Sequence, residues 1–207
     1  MGRAARVRII GGAWRRRWLP VAPVPGLRPS ADAQRETLFN WLQPLLPGAV
    51  VLDLFAGTGA LGLEAASRGA GSVLLVEKSP VAADQLEANL RSLDADGVTV
   101  RRGDALRLLS QGPKAVGHTA FDIVFIDPPF GKGLIAPVLE HLRGGAWLAP
   151  GARVYVEQEG GLPAPAGWEI LRERTGGEAH GLLLAVPGDS GRDGTPESVT
   201  GLPEGFH

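Results

Sequence analysis

The stretch that decides the fold is Val51-Leu-Asp-Leu-Phe-Ala-Gly-Thr-Gly-Ala-Leu-Gly62. It predicts a short apolar strand, a glycine-rich turn and the first turn of a helix. The spacing of Gly57, Gly59 and Gly62 matches the loops that bind nucleotide cofactors, where a missing side chain lets the backbone approach the ligand. By itself the loop indicates a nucleoside-containing cofactor, and a tight turn that binds no ligand is the alternative.

Strands and helices alternate from this stretch onward. Apolar runs predict strands over 50–55, 72–77, 98–101, 121–127 and 153–158, and helical patterns lie between them over 59–67, 80–93, 105–109 and 134–142. Because strands that are apolar throughout are covered on both faces, the pattern predicts a parallel, doubly wound sheet. Two last runs, 168–174 and 180–186, have too short a link for a crossover and predict an antiparallel hairpin. We therefore expect an α/β, Rossmann-like sheet of seven mostly parallel strands.

The composition excludes several classes of protein. The chain has 207 residues, no cysteine and four histidines without ligand spacing, which excludes a disulfide scaffold and a thiolate or histidine metal site. Apolar runs fall well short of the ~20 residues of a membrane span, so the cytoplasm is the expected compartment. Residues 47–187 form the predicted main domain. Residues 188–207, rich in glycine, proline, serine and threonine, are predicted to be a disordered tail.

Residues 1–46 are predicted to form a basic extension. We expect a β-hairpin over 7–19 that turns at Gly11-Gly12, an extended proline-rich connector and a helix over 31–46. Eight arginines and only two acidic residues within residues 1–41 give this end a net charge of +6, although the whole chain has a formal net charge of −1. Such asymmetry is typical of a basic arm on a neutral or acidic domain.

A second motif, Asp127-Pro-Pro-Phe130, directly follows the apolar run 121–126. The two prolines fix the backbone and remove two N–H donors, which leaves a carboxylate, free carbonyls and an aromatic ring at the end of the strand. The Asp127 carboxylate and the Pro128 carbonyl can accept the two hydrogens of an amino group on a planar base, and Phe130 can stack on that base. The alternative is a rigid turn that closes the strand.

Three carboxylates distinguish between possible cofactors. Asp53 lies four residues before Gly57, where a negative charge suits a ligand with an ammonium and a sulfonium better than one with two phosphates. Glu77 ends the next strand, where a carboxylate can accept both hydroxyls of a ribose. Asp104 follows the third strand and can bind an adenine amino group, cap the helix over 105–109, or do both. The pattern favours S-adenosylmethionine (SAM) over NAD.

Further segments complete a family pattern. They are Arg8-Ile-Ile-Gly-Gly-Ala-Trp-Arg15, Leu27-Arg-Pro-Ser30, Arg35-Glu-Thr-Leu-Phe-Asn-Trp-Leu42 and Tyr155-Val-Glu157. With the two motifs above, the chain resembles the SAM-dependent bacterial 16S rRNA guanine-N2 methyltransferases from about residue 8 to residue 186. The chain departs from that pattern in two places. It has Ala33 where the family usually has arginine, and it lacks the tyrosine that the family usually has near Gly181.

The resemblance implies a class I SAM-dependent methyltransferase fold and transfer of a methyl group from SAM, without a metal, to the exocyclic amine of a guanine. The implied substrate is 16S rRNA within a partly or fully assembled small subunit, with no obligate protein partner. Cofactor contacts are expected from Asp53, Phe55, Gly57, Gly59, Glu77, Asp104 and Ala105. The guanine is expected at Asp127, Pro128, Pro129 and Phe130. Because arginines bind phosphate, we expect the basic arm to contact the RNA backbone. The expected contacts are Arg8, Trp14, Arg15, Arg16, Arg17, Arg28 and Arg35, with Trp18 beside them. The alternative is a charged face that is only solvated.

Three other functions share part of this pattern. A DNA adenine-N6 methyltransferase would have the same cofactor loop and acceptor motif, but it usually has an additional target-recognition domain. An NAD-dependent oxidoreductase would explain the glycine loop and leave residues 127–130 without a role. A non-catalytic RNA-binding or assembly factor on a methyltransferase fold is opposed by the intact acceptor motif.

Overall fold

The computed structural model describes residues 5–24, 32–176 and 179–187, so Arg28 and the predicted tail lie outside the described residues. The strands are β1 Arg6–Arg8, β2 Trp18–Pro20, β3 Val50–Asp53, β4 Ser72–Glu77, β5 Val98–Arg102, β6 Phe121–Ile126, β7 Leu148–Glu159, β8 Glu169–Gly176 and β9 Ala179–Ala185. The helices are α1 Asp32–Leu42, α2 Gly62–Ser67, α3 Pro80–Leu93, α4 Ala105–Leu109 and α5 Ile135–Gly144, with 3₁₀ turns at Gln43–Leu45 and Pro113–Val116.

Strands β3 to β9 form one sheet in the order β5-β4-β3-β6-β7-β9-β8. Strands β3 to β7 pair in parallel, whereas β9 is antiparallel to both β7 and β8. This confirms the predicted α/β sheet with a C-terminal antiparallel hairpin. The order of the strands reverses between β3 and β6, and ligands of open α/β sheets bind at such switch points, outside the carboxyl ends of the strands.

The core consists of two hydrophobic clusters, one on each face of the sheet. The first contains Phe39 of α1, Leu63 of α2 and Leu86 of α3. The second contains Val138 of α5 and Trp147, whose indole N–H donates to the Leu109 carbonyl at 3.1 Å. Burial on both faces explains why the central strands are apolar throughout. Within the described ranges, every helix is too short or too polar to cross a membrane.

The N-terminal hairpin differs from the prediction. Strands β1 and β2 pair as expected, but residues 9–17 form a long loop between them instead of turning at Gly11-Gly12. The reason is that the N–H groups of Ile10 and Gly11 each donate to the Glu64 carboxylate at 2.7 Å, so they do not donate across a hairpin. Gly12 has φ +74°, and a Cβ there would lie 1.7 Å from the Ser67 carbonyl oxygen. The loop therefore docks on α2.

Two predicted helix boundaries also move. The helix expected to end at residue 46 ends at Leu42 and continues as a 3₁₀ turn, because Pro44 removes a backbone N–H and its ring clashes with the preceding turn. The helix expected to start at residue 59 starts at Gly62, because Gly57 and Gly59 have positive φ. The other predicted strands and helices have counterparts in the structure, with ends that are the same or displaced by up to five residues.

Glu64 is expected to be a main source of stability for the docked loop. Its fully buried carboxylate forms salt bridges with Arg68 at 2.7 Å and Arg35 at 3.6 Å, in addition to the two backbone hydrogen bonds. Glu64→Ala leaves the two backbone N–H groups without this acceptor and removes the buried negative charge beside Arg35 and Arg68, so we expect the free energy of unfolding to fall by about 3 to 5 kcal/mol in urea titrations. Glu36→Ala, at an exposed position of α1, is the control and should leave the urea midpoint unchanged. A loss below about 1 kcal/mol for Glu64→Ala would contradict this account.

Candidate active site

The two sequence motifs lie at the same edge of the sheet. Strands β3 and β6 are neighbours, and their register pairs Asp53, the last residue of β3, with Phe125. Asp127 directly follows β6, so the acceptor loop begins beside the glycine-rich loop. Both loops lie at the point where the strand order reverses. A ligand held by one loop is therefore within reach of a ligand held by the other.

Asp53 has a carboxylate oxygen without a partner. The residue is 1% exposed, and its Oδ2 accepts the Gly62 N–H at 3.0 Å. Its Oδ1 is buried and accepts no hydrogen bond within the described part of the chain. Burial, together with the smaller effect of the negative charge of Glu77, raises the pKa of Asp53 to about 7, against the opposing effect of the Gly62 N–H and the nearby Phe55 N–H. A buried carboxylate in this state fits a cationic ligand, since the ligand's charge would stabilise the ionised form.

The glycine-rich loop is tied to Glu77. Gly57 and Gly59 have φ values of +52° and +78°, which glycine adopts readily and other residues adopt at a cost. The Gly57 N–H donates to Glu77 Oε2 at 2.8 Å, and the Ser79 N–H donates to Oε1 at 2.6 Å. A carboxylate oxygen can accept two hydrogen bonds, and each oxygen of Glu77 accepts one here. Glu77 can therefore still accept from two hydroxyls of a ribose. The loop and the carboxylate thus form one preorganised unit.

Asp104 caps α4 and also borders a cleft. Its carboxylate accepts the Arg107 N–H at 3.2 Å and pairs with Lys78 at 3.1 Å. The hydrogen bond from Arg107, followed by that from Lys78, lowers the pKa of Asp104. The cleft has a volume of about 210 Å³ and is lined by Val76, Arg101, Arg102, Gly103, Asp104, Arg107, Leu108 and Gln111. Both predicted roles of Asp104, helix cap and ligand contact, are therefore compatible with its position.

The remaining predicted cofactor residues contribute less. Phe55 is half-buried and packs against the second core cluster, and Ala105 is buried at the start of α4. The set as a whole fits SAM: a carboxylate oxygen with no partner for a cation, a glycine loop for close approach, and a carboxylate placed for a ribose.

The acceptor loop presents an exposed ring. Phe130 is 44% exposed, Pro129 is exposed, Asp127 is half-buried and Pro128 is buried. The ring therefore does not pack into the interior, as it would if the motif only closed a strand. An aromatic face next to a carboxylate at the mouth of the site can hold a planar base.

The predicted RNA-contacting residues fall into two groups. Arg15, Arg16 and Arg17 are exposed in the loop between β1 and β2, although the Arg17 guanidinium donates to the Ser92 carbonyl at 2.9 Å. Trp14 packs against the first core cluster, whereas Trp18 is 54% exposed. The three consecutive arginines and Trp18 thus lie at the surface of the arm, as do Arg6 and, in part, Arg8.

Arg35 corrects the prediction. Its side chain is 1% exposed and donates to Asp32 at 2.7 Å and to the Arg8 carbonyl at 2.7 Å. A guanidinium enclosed in this way has no surface to offer RNA, so the expectation that Arg35 contacts RNA is wrong. Its second nitrogen donates to the Ala60 carbonyl at 3.4 Å, which links α1 to the cofactor loop. Arg8 forms a salt bridge with Asp32 at 2.6 Å and stays partly exposed.

Sequence reasoning assigned no role to Arg174, which joins Tyr155 and Glu157 in a buried cluster. The Tyr155 hydroxyl and the Arg174 guanidinium both donate to Glu157 Oε2 at 2.9 Å. The available signal was a glutamate that interrupts the apolar run of β7 at the carboxyl edge of the sheet.

Comparisons with known proteins identify the family. A family model described as "Conserved hypothetical protein 95" matches residues 7–185. The chain is 47% identical over 178 residues to Ribosomal RNA small subunit methyltransferase D of Escherichia coli, covering 84% of this chain and 87% of that protein. The chain belongs to this family. The protein of the same name from Haemophilus influenzae is 43% identical, with coverage of 83% and 89%.

The solved structures agree with this family assignment. A hypothetical protein of Thermus thermophilus has a TM-score of 0.73 and 32% identity, over 87% of this chain and 99% of that one. The site is therefore interpreted as that of a small-subunit rRNA methyltransferase D family member. Membership confirms the predicted class I methyltransferase fold and the prediction that the protein is a methyltransferase.

Proposed function

We propose that the protein transfers a methyl group from SAM to the exocyclic N2 amine of a guanine in 16S rRNA, in the cytoplasm, on a partly or fully assembled small subunit. The observation that carries this proposal is the buried Asp53 oxygen that has no partner among the described residues, on the strand next to the one that the acceptor loop 127–130 follows. The name of the relatives, which specifies RNA of the small ribosomal subunit, supports the substrate class.

The cofactor residues have separate tasks. Asp53 binds the cationic amino-acid part of SAM, and Gly57 and Gly59 let the backbone lie close to it. Glu77 accepts the ribose hydroxyls, and Asp104 accepts from the adenine amino group. When bound, SAM supplies a methyl group on a sulfonium sulfur, so that as the guanine nitrogen bonds to the methyl carbon, the carbon–sulfur bond breaks and its electron pair stays on sulfur.

The acceptor loop prepares the guanine. Asp127 and the Pro128 carbonyl accept the two N2 hydrogens, while Phe130 stacks on the ring. This turns the nitrogen lone pair, which is normally delocalised into the base, toward the cofactor. Alignment of this kind contributes up to about 7 to 11 kcal/mol in favourable cases. The amine becomes acidic only after the new bond has formed, so its proton passes to water and Asp127 acts as a hydrogen-bond acceptor.

The basic arm binds the phosphate backbone. Arg15 and Arg16 are exposed and neither side chain has a hydrogen-bond partner within the described residues. The double variant Arg15→Gln/Arg16→Gln removes two phosphate contacts, so we expect weaker binding to small subunits. In a plot of the logarithm of the binding constant against the logarithm of the salt concentration, the magnitude of the slope should fall by about 1.5 to 2. Affinities measured across a salt series test this.

The control for the arm is Arg143→Gln, at an exposed position at the end of α5 on the opposite face of the sheet. It should leave the slope unchanged. An unchanged slope in the double variant as well would show that the arm is only a solvated surface.

The decisive test of the reaction uses the intact protein, SAM with a labelled methyl group, and small subunits from a strain that lacks this methyltransferase. We expect label in 16S rRNA and, after digestion to nucleosides, N2-methylguanosine as the product. Label in N6-methyladenosine would favour an adenine methyltransferase. The absence of label in both naked rRNA and subunits would favour a non-catalytic assembly factor.

A further inference from the structure

The acceptor loop continues across the sheet into a row of polar side chains. The register of β6 and β7 pairs Ile126 with Val156, so Asp127 and Glu157 follow next to one another at the carboxyl edge. Phe125 and Tyr155, two residues earlier on the same strands, both belong to the first core cluster. Because alternate residues of a strand share a face, Glu157 lies on the same face of β7 as Tyr155, whereas Asp127 is the first residue after β6. Glu157 therefore lies one strand away from the residue proposed to hold the base.

Glu157 is held by one of its two oxygens. Its Oε2 accepts from the Tyr155 hydroxyl and from Arg174 Nη2, each at 2.9 Å, and Arg174 also donates to the Tyr155 hydroxyl. Burial, followed by the charge of Glu157, raises the pKa of Tyr155, which keeps the hydroxyl protonated as a donor. The side chains of Glu157 and Arg174 are each 9% exposed. Oε1 is the oxygen that these bonds leave for another donor.

Gly181 makes this cluster possible. It lies between Glu157 and Arg174 in the register of the three strands β7, β9 and β8. A Cβ at residue 181 would lie 2.6 Å from the Tyr155 hydroxyl oxygen and 3.0 Å from Arg174 Nε. The missing side chain thus lets Arg174 reach across β9 to Glu157.

The cluster has more donors than an ion pair of purely structural origin would need. Nε and Nη1 of Arg174 are buried and have no hydrogen-bond partner among the described residues. Buried polar groups in native proteins are normally satisfied, and a buried ion pair adds stability only when its remaining groups are bonded. These two N–H groups are therefore available to an acceptor that the described residues do not supply.

We propose that Glu157 determines the specificity for guanine by accepting the N1–H of the target base through Oε1, with Arg174 and Tyr155 as positioning residues. This inference rests on the proposed function. In guanine, N1–H is adjacent to the N2 amine, so two neighbouring carboxylates, Asp127 and Glu157, match two neighbouring donors of the base. In 2-aminopurine the same 2-amino group stands beside an N1 that has no hydrogen. Its lone pair would face the carboxylate and be repelled.

The test compares small subunits that carry guanine or 2-aminopurine at the methylated position, made by ligating a synthetic segment into 16S rRNA. We expect wild-type kcat/KM to be at least about 100-fold higher for guanine, since a site that hydrogen-bonds a donor strongly rejects an analogue without it. In Glu157→Gln the side-chain amide can donate to N1 of 2-aminopurine, so this preference should fall at least about tenfold.

Each outcome decides the matter. A merely structural role for Glu157 would lower both rates and leave their ratio unchanged, and this result would overturn the proposal. Wild-type rates on the two bases within about threefold would overturn it without any variant. Tyr155→Phe keeps Glu157 but removes one donor to Oε2, so it should lower the ratio of kcat/KM for guanine to that for 2-aminopurine severalfold. This variant tests the proposal if Glu157→Gln does not fold.

The control is Glu173→Gln, which precedes Arg174 but is exposed and pairs with His180 at 3.1 Å; it should keep the wild-type ratio. Failure of the proposed function itself would look different, because wild-type protein would then form no N2-methylguanosine on guanine-containing subunits.

Discussion

Replacing Asp127 with alanine is expected to abolish methyl transfer while SAM still binds. The carboxylate is half-buried at the end of β6, beside the cofactor loop but not part of it. Without it, the guanine amine loses the acceptor that orients its lone pair, and a misplaced reacting atom costs far more in rate than in affinity. We expect kcat to fall by at least about a thousandfold, with the Kd for SAM within about threefold of wild type.

Single-turnover methylation of small subunits and calorimetry with SAM measure the two quantities. Asp127→Asn keeps one acceptor oxygen in the same place and should retain more activity than alanine does. Asp96→Ala changes an exposed carboxylate in the loop before β5 and should leave both quantities unchanged. Wild-type methylation by Asp127→Ala would remove Asp127 from the mechanism.

The second large effect is expected at Asp53. Because Oδ1 is buried without a partner among the described residues, it offers its negative charge to the cationic part of SAM. Asp53→Asn keeps the shape and can still accept the Gly62 N–H, but it loses the charge. We expect the affinity for SAM to fall by about 100-fold or more, since charged hydrogen bonds in a buried site contribute several kcal/mol.

The raised pKa of Asp53 gives this prediction a pH dependence. Burial raises the pKa of the Asp53 carboxyl to about 7, well above its ordinary value of 3.8, and the proposed function assigns the binding of the cation to its ionised form. The affinity for SAM should therefore be highest above pH 7 and fall as the pH drops below 7, by up to about tenfold per pH unit. In Asp53→Asn this dependence should disappear. A Kd that does not change between pH 5.5 and 8.5 in wild type would contradict the assignment.

The same shift predicts an opposite effect on stability. A carboxyl whose folded pKa lies above its unfolded pKa stabilises the fold most below about pH 4, and this contribution is lost as the pH rises to about 7. At pH 8 the free protein therefore contains an unfavourable buried charge. We expect Asp53→Asn to raise the free energy of unfolding at pH 8 by on the order of 2 to 4 kcal/mol while it abolishes tight SAM binding. Urea titrations without cofactor measure the expected gain in the free energy of unfolding, and calorimetry with SAM measures the expected loss of binding.

Most of the central sheet could be predicted from local patterns. Strand β4 and helix α4 have the predicted ends, because β4 is a short continuous apolar run, the buried residues of α4 recur at helical spacing, and the neighbours of both are polar or glycine. The common location of Asp53, Glu77 and Asp127 at one edge of the sheet could be predicted for a related reason. Each directly follows or ends an apolar strand, and parallel strands place their carboxyl ends on one edge of the sheet.

The errors have a common physical cause. The loop over residues 9–17 docks on Glu64 and Ser67, which are more than 50 positions away in the chain. Arg35 looked like a surface arginine because its own helix is amphipathic and polar around it, yet the docked loop and α2 enclose it. A local pattern contains no information about which distant acceptor will satisfy a buried donor.

By itself, the sequence determined the order of strands and helices, the chemistry of the two loops and the family. The tertiary structure alone decided which polar groups meet: Glu64 with the N-terminal loop, Arg35 with the interior, and Glu157 with Arg174 across the gap at Gly181. The physical reason is that periodicity and turn chemistry act between neighbours in the chain. Burial, by contrast, forces each charge and each N–H to find a partner anywhere in the folded molecule.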